Sequence, residues 1–407
     1  MIRFRSRSRN GMLVASNSWS VASLAVPAGH TLTRAGTNAT YFDATGLLKT
    51  AGANVARFGY NPATLALNGL MVEGAATNDL LQSRTLSTAP WVLSGTAGAQ
   101  NATGVTGAAN TAWTLTDASA AAFDGTYTAG VMTIANDSNA HAVSCFVLKD
   151  ANSTAFPALR VFTSGGTGST LDLVLNTSSG AFTAQQIAGT GGGNVENYGL
   201  WWKVTAYVNN NSTGNVSLNV VFFPAYTSGT TASAASVTPQ RSCVVDQFDH
   251  RANSTVTDSA IITTAASSTR NADALTAATS GILAGTQGFT AMQVIPIIAP
   301  TSGNLIAATN LPMNINAGQL SLNDGTSARD FSALTLTVGT AVSLATTWGG
   351  VNCNGSIGGV LGTSRTFDGD MNLGATITVL GGVSAFLKSL RYGMTNLSDS
   401  SLRSMTQ

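Results

Sequence analysis

The densest group of residues that could do chemistry lies at positions 246–250, which read Asp-Gln-Phe-Asp-His. Side chains alternate between the two faces of a strand, so Asp246 and His250 should share a face with Phe248 while Asp249 points the other way. Two acids beside a histidine could bind a metal ion or exchange protons. The three histidines of the chain show no ligand-like spacing, and a satisfied structural network is the favoured interpretation.

Two short acidic loops have the composition of calcium-binding sequences. They read Asn-Asp-Gly-Thr at 323–326 and Asp-Gly-Asp at 368–370, and they cluster the oxygen ligands that hard cations prefer. Asp-Gly is first of all a turn signal. The sequence therefore favours turns at both places, keeps calcium as a minor alternative, and gives no reason to assign a metal or another cofactor.

Enzyme signatures are not recognisable in the chain. Glycoside hydrolysis needs two carboxylates flanking the sugar bond, and the sixteen aspartates and two glutamates stand mostly singly, in turn-like contexts. The chain has no nucleophile elbow and no phosphate loop. Its Gly191–Gly193 run is interpreted as a loop because no strand-to-helix transition follows it. We expect a protein that is not an enzyme and assign no catalytic residue.

Trp201 and Trp202 are the most prominent adjacent aromatic residues. Neighbours on a strand face opposite sides, so one ring should enter a core while the other covers an outer face or an interface. An exposed ring could stack on a sugar, although a buried subunit contact is the favoured interpretation. Both tryptophans are therefore candidate glycan or subunit contacts.

The composition predicts an all-β protein. Of 407 residues, 44% are apolar and 9% are charged, against about 25% charged in an average domain. Glu and Lys are rare while Thr, Val, Ser and Gly abound, which disfavours surface helices and favours strands. The net charge of +1 gives no global field towards nucleic acid or membranes, and we expect neither as a partner.

The three cysteines, Cys145, Cys243 and Cys353, are scattered and odd in number. Such a set is not a disulfide framework. Free Cys behaves as a small apolar residue and is among the most buried residue types. We therefore expect buried free thiols.

Five segments follow from the sequence pattern. Residues 1–33 form an arm, in which alternation would place four arginines on one side of an extended chain: Arg3, Arg5, Arg7 and Arg9. A frayed tail and a docking arm remain open for it. Residues 34–83 form a connector and 84–262 a first β-sandwich, since short apolar runs there alternate with Gly/Ser/Asn turns.

The remaining segments are a linker at 263–273 and a second β-module at 274–407. Ser398 should cap a short helix that closes this module and carries Leu402 and Met405 on one face.

The connector has anchoring side chains of two kinds. Arg57 and Glu73 are expected to make local or intersubunit polar contacts. The other anchors are Tyr41, Phe58, Tyr60 and Asn78, of which the three aromatic residues supply apolar contacts.

Residues 34–83 resemble a segment that recurs in tailed-bacteriophage fibre, spike and decoration proteins. The matching residues are Arg34-Ala35, Tyr41-Phe42-Asp43, Asn54, Arg57 to Pro62, Gly69 to Glu73, Thr77-Asn78 and Leu80-Leu81. Gly59 is a departure, because the family usually has an acidic residue there. Ala385 to Tyr392, with Leu397 to Asp399 after it, resembles the last strand and closing helix of a concanavalin-like jelly roll. Thr269 to Asp273 is similar to the hinge that introduces such a domain.

The resemblance implies serial antiparallel β-sandwich or jelly-roll modules, the first of them carbohydrate-binding-module-like, with an extended N-terminal arm and connector. It implies a structural protein of a phage virion: a head or tail fibre, spike or decoration subunit assembled in the host cytoplasm. The expected state is a homotrimer that attaches to capsid, neck or tail proteins by its N-terminal region. The alternative is a carbohydrate-binding adhesin that recognises host surface glycans. A polysaccharide depolymerase is a third hypothesis, with no residue evidence.

Overall fold

The computed structural model describes residues 16–407 except 96–97, 129–131, 229–234 and 301. The predicted attachment arginines, Arg3, Arg5, Arg7 and Arg9, lie outside these residues. The described chain is all-β, as predicted, and its sheets are antiparallel. None of its helices has the length and apolar character needed to cross a bilayer.

In chain order the first strands are β1 Ser16–Ser20, β2 His30–Thr33, β3 Ala39–Phe42, β4 Leu48–Ala51, β5 Phe58–Tyr60, β6 Leu67–Val72, β7 Ala76–Asn78, β8 Trp91–Ser94, β9 Gly98–Ala102, β10 Ala112–Asp117, β11 Gly125–Thr128, β12 Met132–Thr133, β13 Ala140–Leu148, β14 Ala155–Ser164, β15 Thr170–Leu175, β16 Phe182–Ala188 and β17 Gly191–Tyr198. A single 3-10 turn, Val21–Ser23, follows β1.

The chain continues with β18 Trp201–Asn209, β19 Ser217–Ser228, β20 Arg241–Ala252, β21 Ser268–Arg270, β22 Ala274–Ala278, β23 Gln287–Pro296, β24 Gly303–Ala307, β25 Leu311–Asn316, β26 Gln319–Asn323, β27 Ala328–Ala333, β28 Val342–Gly349, β29 Asn352–Ile357, β30 Val360–Leu361, β31 Arg365–Thr366, β32 Thr376–Val379 and β33 Ala385–Gly393. It closes with helix α1, Asp399–Thr406.

The first sandwich consists of two antiparallel sheets built from β8 to β20. Sheet 1 has the order β17-β18-β13-β20-β10-β9, and sheet 2 has the order β16-β15-β14-β19-β11-β8 with β12 beside β19. Alternate residues of each strand enter the core between them; on β14 these are Leu159 and Val161. Gly191–Gly193, interpreted from the sequence as a loop, begins β17 and pairs with β18. The loop interpretation was therefore wrong. The glycines are explained by packing, because a Cβ at these positions would collide with β18 or Leu173.

The second sandwich is assembled from both ends of the described chain. Sheet 3 has the order β30-β29-β28-β23-β33-β6-β5, with β1 beside β33 and β31 beside β29, and sheet 4 runs β2-β22-β32-β24-β25-β26-β27. Along the free edge of β33, β6 pairs with residues 385–387 and β1 with residues 389–393. The long last strand therefore completes its hydrogen bonding with two N-terminal strands.

This topology revises the predicted domain boundaries. Residues 16–33 are not an arm, because β1 and β2 are strands of the second sandwich and Leu32 is buried in its core. The connector contributes β5 and β6 to the same sandwich, where Leu70 and Val72 fill the core. Residues 263–273 are more than a linker, since β21 pairs with β7.

The outer faces of two sheets are covered by local elements. The β3–β4 hairpin packs on sheet 1, where the ring centroid of Phe42 lies 6.0 Å from that of Phe146 and 5.1 Å from that of Tyr198. Helix α1 covers sheet 3 with Leu402 and Met405. Ser398 caps this helix by accepting a hydrogen bond from the Ser401 N–H at 3.3 Å, so the predicted closing helix is confirmed.

Candidate functional site

Eight buried charged side chains form a chain of alternating sign where the two sandwiches meet. In spatial order they are Arg34, Asp273, Arg57, Glu73, Arg270, Asp258, Arg251 and Asp249. Each is at most 8% exposed. The series has four positive and four negative groups, so it is electrically balanced. We call it the charged junction.

The first half of the charged junction centres on Asp273. One carboxylate oxygen of Asp273 accepts from Arg34 Nη1 at 2.8 Å, and the other accepts from Arg57 Nη2 at 2.5 Å. Arg57 Nη1 also donates to Glu73 Oε2 at 2.5 Å and to the Thr40 carbonyl at 2.8 Å. Arg57 therefore bridges two acids that are 200 residues apart in the sequence.

The second half continues from Glu73 into the first sandwich. Arg270 Nη1 lies 3.2 Å from Glu73 Oε1, and Arg270 Nη2 donates to Asp258 Oδ2 at 2.5 Å. Arg251 Nε and Nη2 donate to Asp258 Oδ1 at 3.2 and 3.1 Å. Arg251 Nη1 closes the series with a short hydrogen bond to Asp249.

Backbone hydrogen bonds tie the same segments together. The N–H of Asp273 donates to the Glu73 carbonyl, and the N–H of Glu73 donates to Asp273 Oδ2, both at 2.9 Å. Ser259 donates to Glu73 through its N–H at 3.2 Å and its hydroxyl at 2.8 Å. The connector, the former linker and the last strand region of the first sandwich are thus held as one unit.

The electrostatics follow from burial and opposite-charge neighbours. Burial raises the pKa of Asp258, but Arg270 and Arg251 outweigh it and hold that pKa below its ordinary value. Burial opposes the charge of Arg270, yet Glu73 and Asp258 raise its pKa. At the end of the series, burial keeps the pKa of Asp249 above its ordinary value despite Arg251. A buried charge of this kind is tolerated only while its partner is present.

The predicted polar anchors of the connector are all buried in or beside this junction. Arg57 and Glu73 contact each other, so the polar contact between them lies within the chain. Asn78 donates to the carbonyls of Phe248 and Ile261 at 3.2 and 2.8 Å, and its Oδ1 accepts from the N–H of His250 at 2.9 Å.

The aromatic anchors behave less uniformly. Tyr41, Phe58 and Tyr60 are half-buried, and Phe58 packs against the core of the second sandwich. The ring that the connector places on the first sandwich is Phe42. Gly59 is explained by close approach, because a Cβ there would lie 2.4 Å from Cε1 of Phe386.

The two tryptophans face opposite sides of β18. Trp201 is 6% exposed in the cluster beneath the β3–β4 hairpin, so its ring is not available as a glycan or intersubunit contact. Trp202 packs against the first core, donates from Nε1 to the Thr177 carbonyl at 2.8 Å, and carries Lys149 Nζ 4.0 Å above its ring centroid. Both rings therefore make intrachain contacts.

Residues 246–250 depart from simple alternation. Gln247 has a positive φ of 49°, and the register of β20 against β13 shifts beside it. The extra residue leaves Val245 and Phe248 in the same core. The prediction that Asp246 shares a face with Phe248 was therefore wrong. Asp246 instead accepts from Arg84 Nε and Nη2 at 2.8 and 2.7 Å, which agrees with the structural interpretation of these acids.

His250 forms a stacked pair with His141. The ring centroids are 5.5 Å apart, and His141 Nδ1 lies 3.3 Å from His250 Nε2. Asp79 Oδ2 lies 3.6 Å from His250 Nδ1. Burial, followed by the proximity of His250, lowers the pKa of His141. The contact with His250 in turn lowers the pKa of Asp79.

The acidic loop at 323–326 and the thiols have structural explanations. Asp324 Oδ1 accepts from the Thr326 N–H and hydroxyl at 3.0 and 2.7 Å, and Asp324 Oδ2 accepts from Arg329 Nε at 2.7 Å, which is a turn held by an ion pair. Within the described ranges, no group of three or more His, Cys, Asp or Glu residues is arranged to hold a metal. The three cysteines are buried and free, as predicted.

Six members of the charged junction were not assigned a site role from the sequence: Arg34, Asp249, Arg251, Asp258, Arg270 and Asp273. A signal was nonetheless present. Arg34-Ala35 and Arg270-Asn271-Ala272-Asp273 both belong to the motifs of the connector and hinge. In a chain with 9% charged residues, charges placed inside motifs are candidates for buried pairs, since isolated buried charges are costly.

Comparison with known proteins gives little. No family model matches the chain, and no curated protein matches it. Among solved structures it is similar to domain 4 of AbnA, a GH43 extracellular arabinanase from Geobacillus stearothermophilus in complex with arabinotriose (14% identity, 38% of this chain and 84% of that chain, TM-score 0.29). It is also similar to domains LG4-5 of the mouse laminin alpha1 chain (9% identity, 65% and 84%, TM-score 0.22). TM-scores this low support no inference about function.

Proposed function

We propose that this chain is a structural protein of a bacteriophage virion that attaches by its N-terminal region and holds two β-sandwiches in a fixed arrangement. The virion assignment rests on the resemblance of residues 34–83 and of the C-terminal strand and helix to phage fibre, spike and decoration proteins. The observation that carries the fixed arrangement is the charged junction. Its members come from the connector, the linker and the first sandwich, and each is buried.

A junction of this kind suits a protein that must hold two domains in a fixed arrangement. Oppositely charged side chains that are fully buried must keep their partners, so bending between the sandwiches would expose or separate charges at a cost of several kcal/mol. The interlocked strands β1, β2, β5 and β6 add to this, because they bind the connector to the second sandwich. Flexible interdomain linkers, by contrast, carry few contacts across the boundary.

The virion proposal is tested by mass spectrometry and cryo-electron microscopy of purified phage particles from the source of this sequence. The expected result is peptides of this chain in stoichiometric amount and density for two sandwiches on the particle surface. Absence of the chain from intact particles would overturn the proposal.

The homotrimer proposal has its own measurement. Light scattering of the full chain should give three times the 41.3 kDa of one chain. A mass of one chain at micromolar concentration would contradict it without affecting the virion assignment.

A further inference from the structure

The outer face of sheet 2 is a large sheet face that the proposed function does not use. Helix α1 covers sheet 3 and the β3–β4 hairpin covers sheet 1. In the described part of the chain, no other helix or strand packs on sheet 2 from outside. The loop carrying Phe123 touches it at the end marked by Phe223 and Tyr226. Away from that end, Val92, Tyr127 and Val221 are each at least partly exposed.

One row of side chains crosses this face from edge to edge. The strand pairings place six outward residues side by side in the order Gln185, Asp172, Arg160, Val221, Tyr127 and Val92. At the usual strand spacing the row is about 24 Å long. It combines polar groups at one end with an apolar surface at the other.

The aromatic part of the face is available to a ligand. Tyr127 is 39% exposed. Phe162 and Phe223, on the neighbouring rows, are half-buried. Tyr rings offer a flat apolar surface and a hydroxyl in one side chain, with little conformational entropy to lose.

The polar part is already positioned. Arg160 donates from Nε and Nη2 to the two oxygens of Asp172 at 2.6 and 2.8 Å, and Nη2 also reaches the Tyr226 hydroxyl at 3.1 Å. The Nη1 group of Arg160 has no partner among the described residues, and the side chain is 30% exposed. Opposite Asp172, the amide oxygen of Gln185 is shielded from solvent and unpaired among the described residues. The face thus offers an oriented donor at Arg160, whereas the shielded oxygen of Gln185 is not accessible to a ligand.

The charge of the face selects the class of ligand. Arg160 and Asp172 are the two charged side chains on the described strands of sheet 2, and they neutralise each other. An anionic ligand would find no net positive charge, and nucleic acid would find none of the basic residues that phosphates need. A neutral molecule with flat apolar faces and many hydroxyl groups complements this surface on every count.

We infer that the outer face of sheet 2 binds a neutral glycan, with a sugar ring stacked on Tyr127 and a hydroxyl group bonded to Arg160. This goes beyond the structural role, since a virion subunit need not bind sugar. Failure of one proposal therefore leaves the other standing.

The test uses the full chain on an array of neutral and acidic glycans, followed by calorimetric titration with the best neutral oligosaccharide. Wild type should bind a neutral glycan, and Tyr127→Ala should weaken binding at least tenfold with an unchanged melting temperature. The matched control is Tyr207→Ala, which removes a half-buried tyrosine from the outer face of sheet 1 and should change binding less than twofold.

The inference would be overturned if wild type bound no neutral glycan, including the case in which it bound acidic glycans alone. It would also be overturned if Tyr127→Ala bound the glycan as tightly as wild type. A third contrary result is that Tyr127→Ala separates subunits without changing glycan binding, which would make this face a contact between copies of the chain.

Discussion

Arg57 and Asp273 are 216 positions apart in the sequence, yet Nη2 of the first donates to Oδ2 of the second at 2.5 Å, and neither side chain is exposed to solvent. The same arginine holds Glu73 with its other terminal nitrogen. A single connector residue thus fixes the strand after it and the hinge before the second module. Neighbouring pairs extend this contact into the first sandwich.

Arg57→Ala should be among the most damaging single substitutions. It leaves Glu73 and Asp273 buried with one partner fewer each, which typically costs about 3–5 kcal/mol. Urea unfolding followed by tryptophan fluorescence measures the loss. Arg391→Ala, at an exposed position of β33, is the control and should cost less than about 0.5 kcal/mol. Equal midpoints for the two variants would show that the charged junction does not stabilise the fold.

Leu32→Ala tests whether residues 16–33 belong to the second sandwich. Leu32 lies 7% exposed in that core, and removing a buried leucine side chain costs about 2–5 kcal/mol. Leu200→Ala is the control, because Leu200 is 74% exposed. If both variants melted like wild type, β2 would not be an integral strand and the arm interpretation would be restored.

The stacked histidines predict a loss of stability in mild acid. The pKa of His141 is lowered in the folded chain, first by burial and then by His250. The unfolded chain therefore binds more protons below about pH 6.5, and stability falls as the pH drops from there through the lowered pKa. The slope is at most about 1.4 kcal/mol per pH unit for one histidine.

Thermal unfolding between pH 5 and 8 measures this effect. The groups facing the pair are Asp79, Asp137 and Arg251. His141→Gln should flatten the acid slope, while Asp79→Asn should keep it. His30→Gln is the comparison, because burial also lowers the pKa of His30 in the other sandwich. The contribution of His30 to the acid slope should be independent of that of His141. An acid slope unchanged in His141→Gln would remove the histidine pair from the explanation.

Ser398→Ala should loosen the closing helix. The Ser398 hydroxyl satisfies the Ser401 N–H at the start of α1, and loss of such a cap costs about 0.5–2 kcal/mol. Ser404→Ala, exposed in the middle of the helix, should be neutral or slightly stabilising. Hydrogen exchange of the α1 amides gives the measurement, and equal protection in both variants would contradict the capping role.

The fold class and the closing helix could be predicted from local patterns. Thr- and Val-rich runs, rare Glu and Lys, and a capped apolar stripe are short-range signals. The assembly of the second sandwich could not be predicted, because the pairing of β1 and β6 with β33 joins residues more than 300 positions apart. The sequence of residues 16–33 does not indicate whether a strand there pairs with a neighbour in sequence or with a distant one.

Two of the eight residues of the charged junction were predicted as polar anchors. Arg57 and Glu73 stood out because they occur inside a motif, whereas Arg251 and Asp258 looked like ordinary polar residues of the first sandwich. Alternation also failed at Gln247, whose left-handed backbone shifts the following side chains. A bulge of this kind carries no signal in a Gln residue, since Gly and Asn are the usual markers of positive φ.

The pairing of β33 with β1 and β6 has a consequence for synthesis. The second sandwich cannot close until the ribosome has made β33, which follows β6 by more than 300 residues, or about 15 to 60 s of translation. The first sandwich can fold during this interval, whereas β1 and β2 still lack their partners and β5 and β6 have only each other. Nascent chains should therefore expose strand edges with unpaired N–H and C=O groups for most of their synthesis. A circular permutant that starts at β22 and joins the present ends would shorten that exposure.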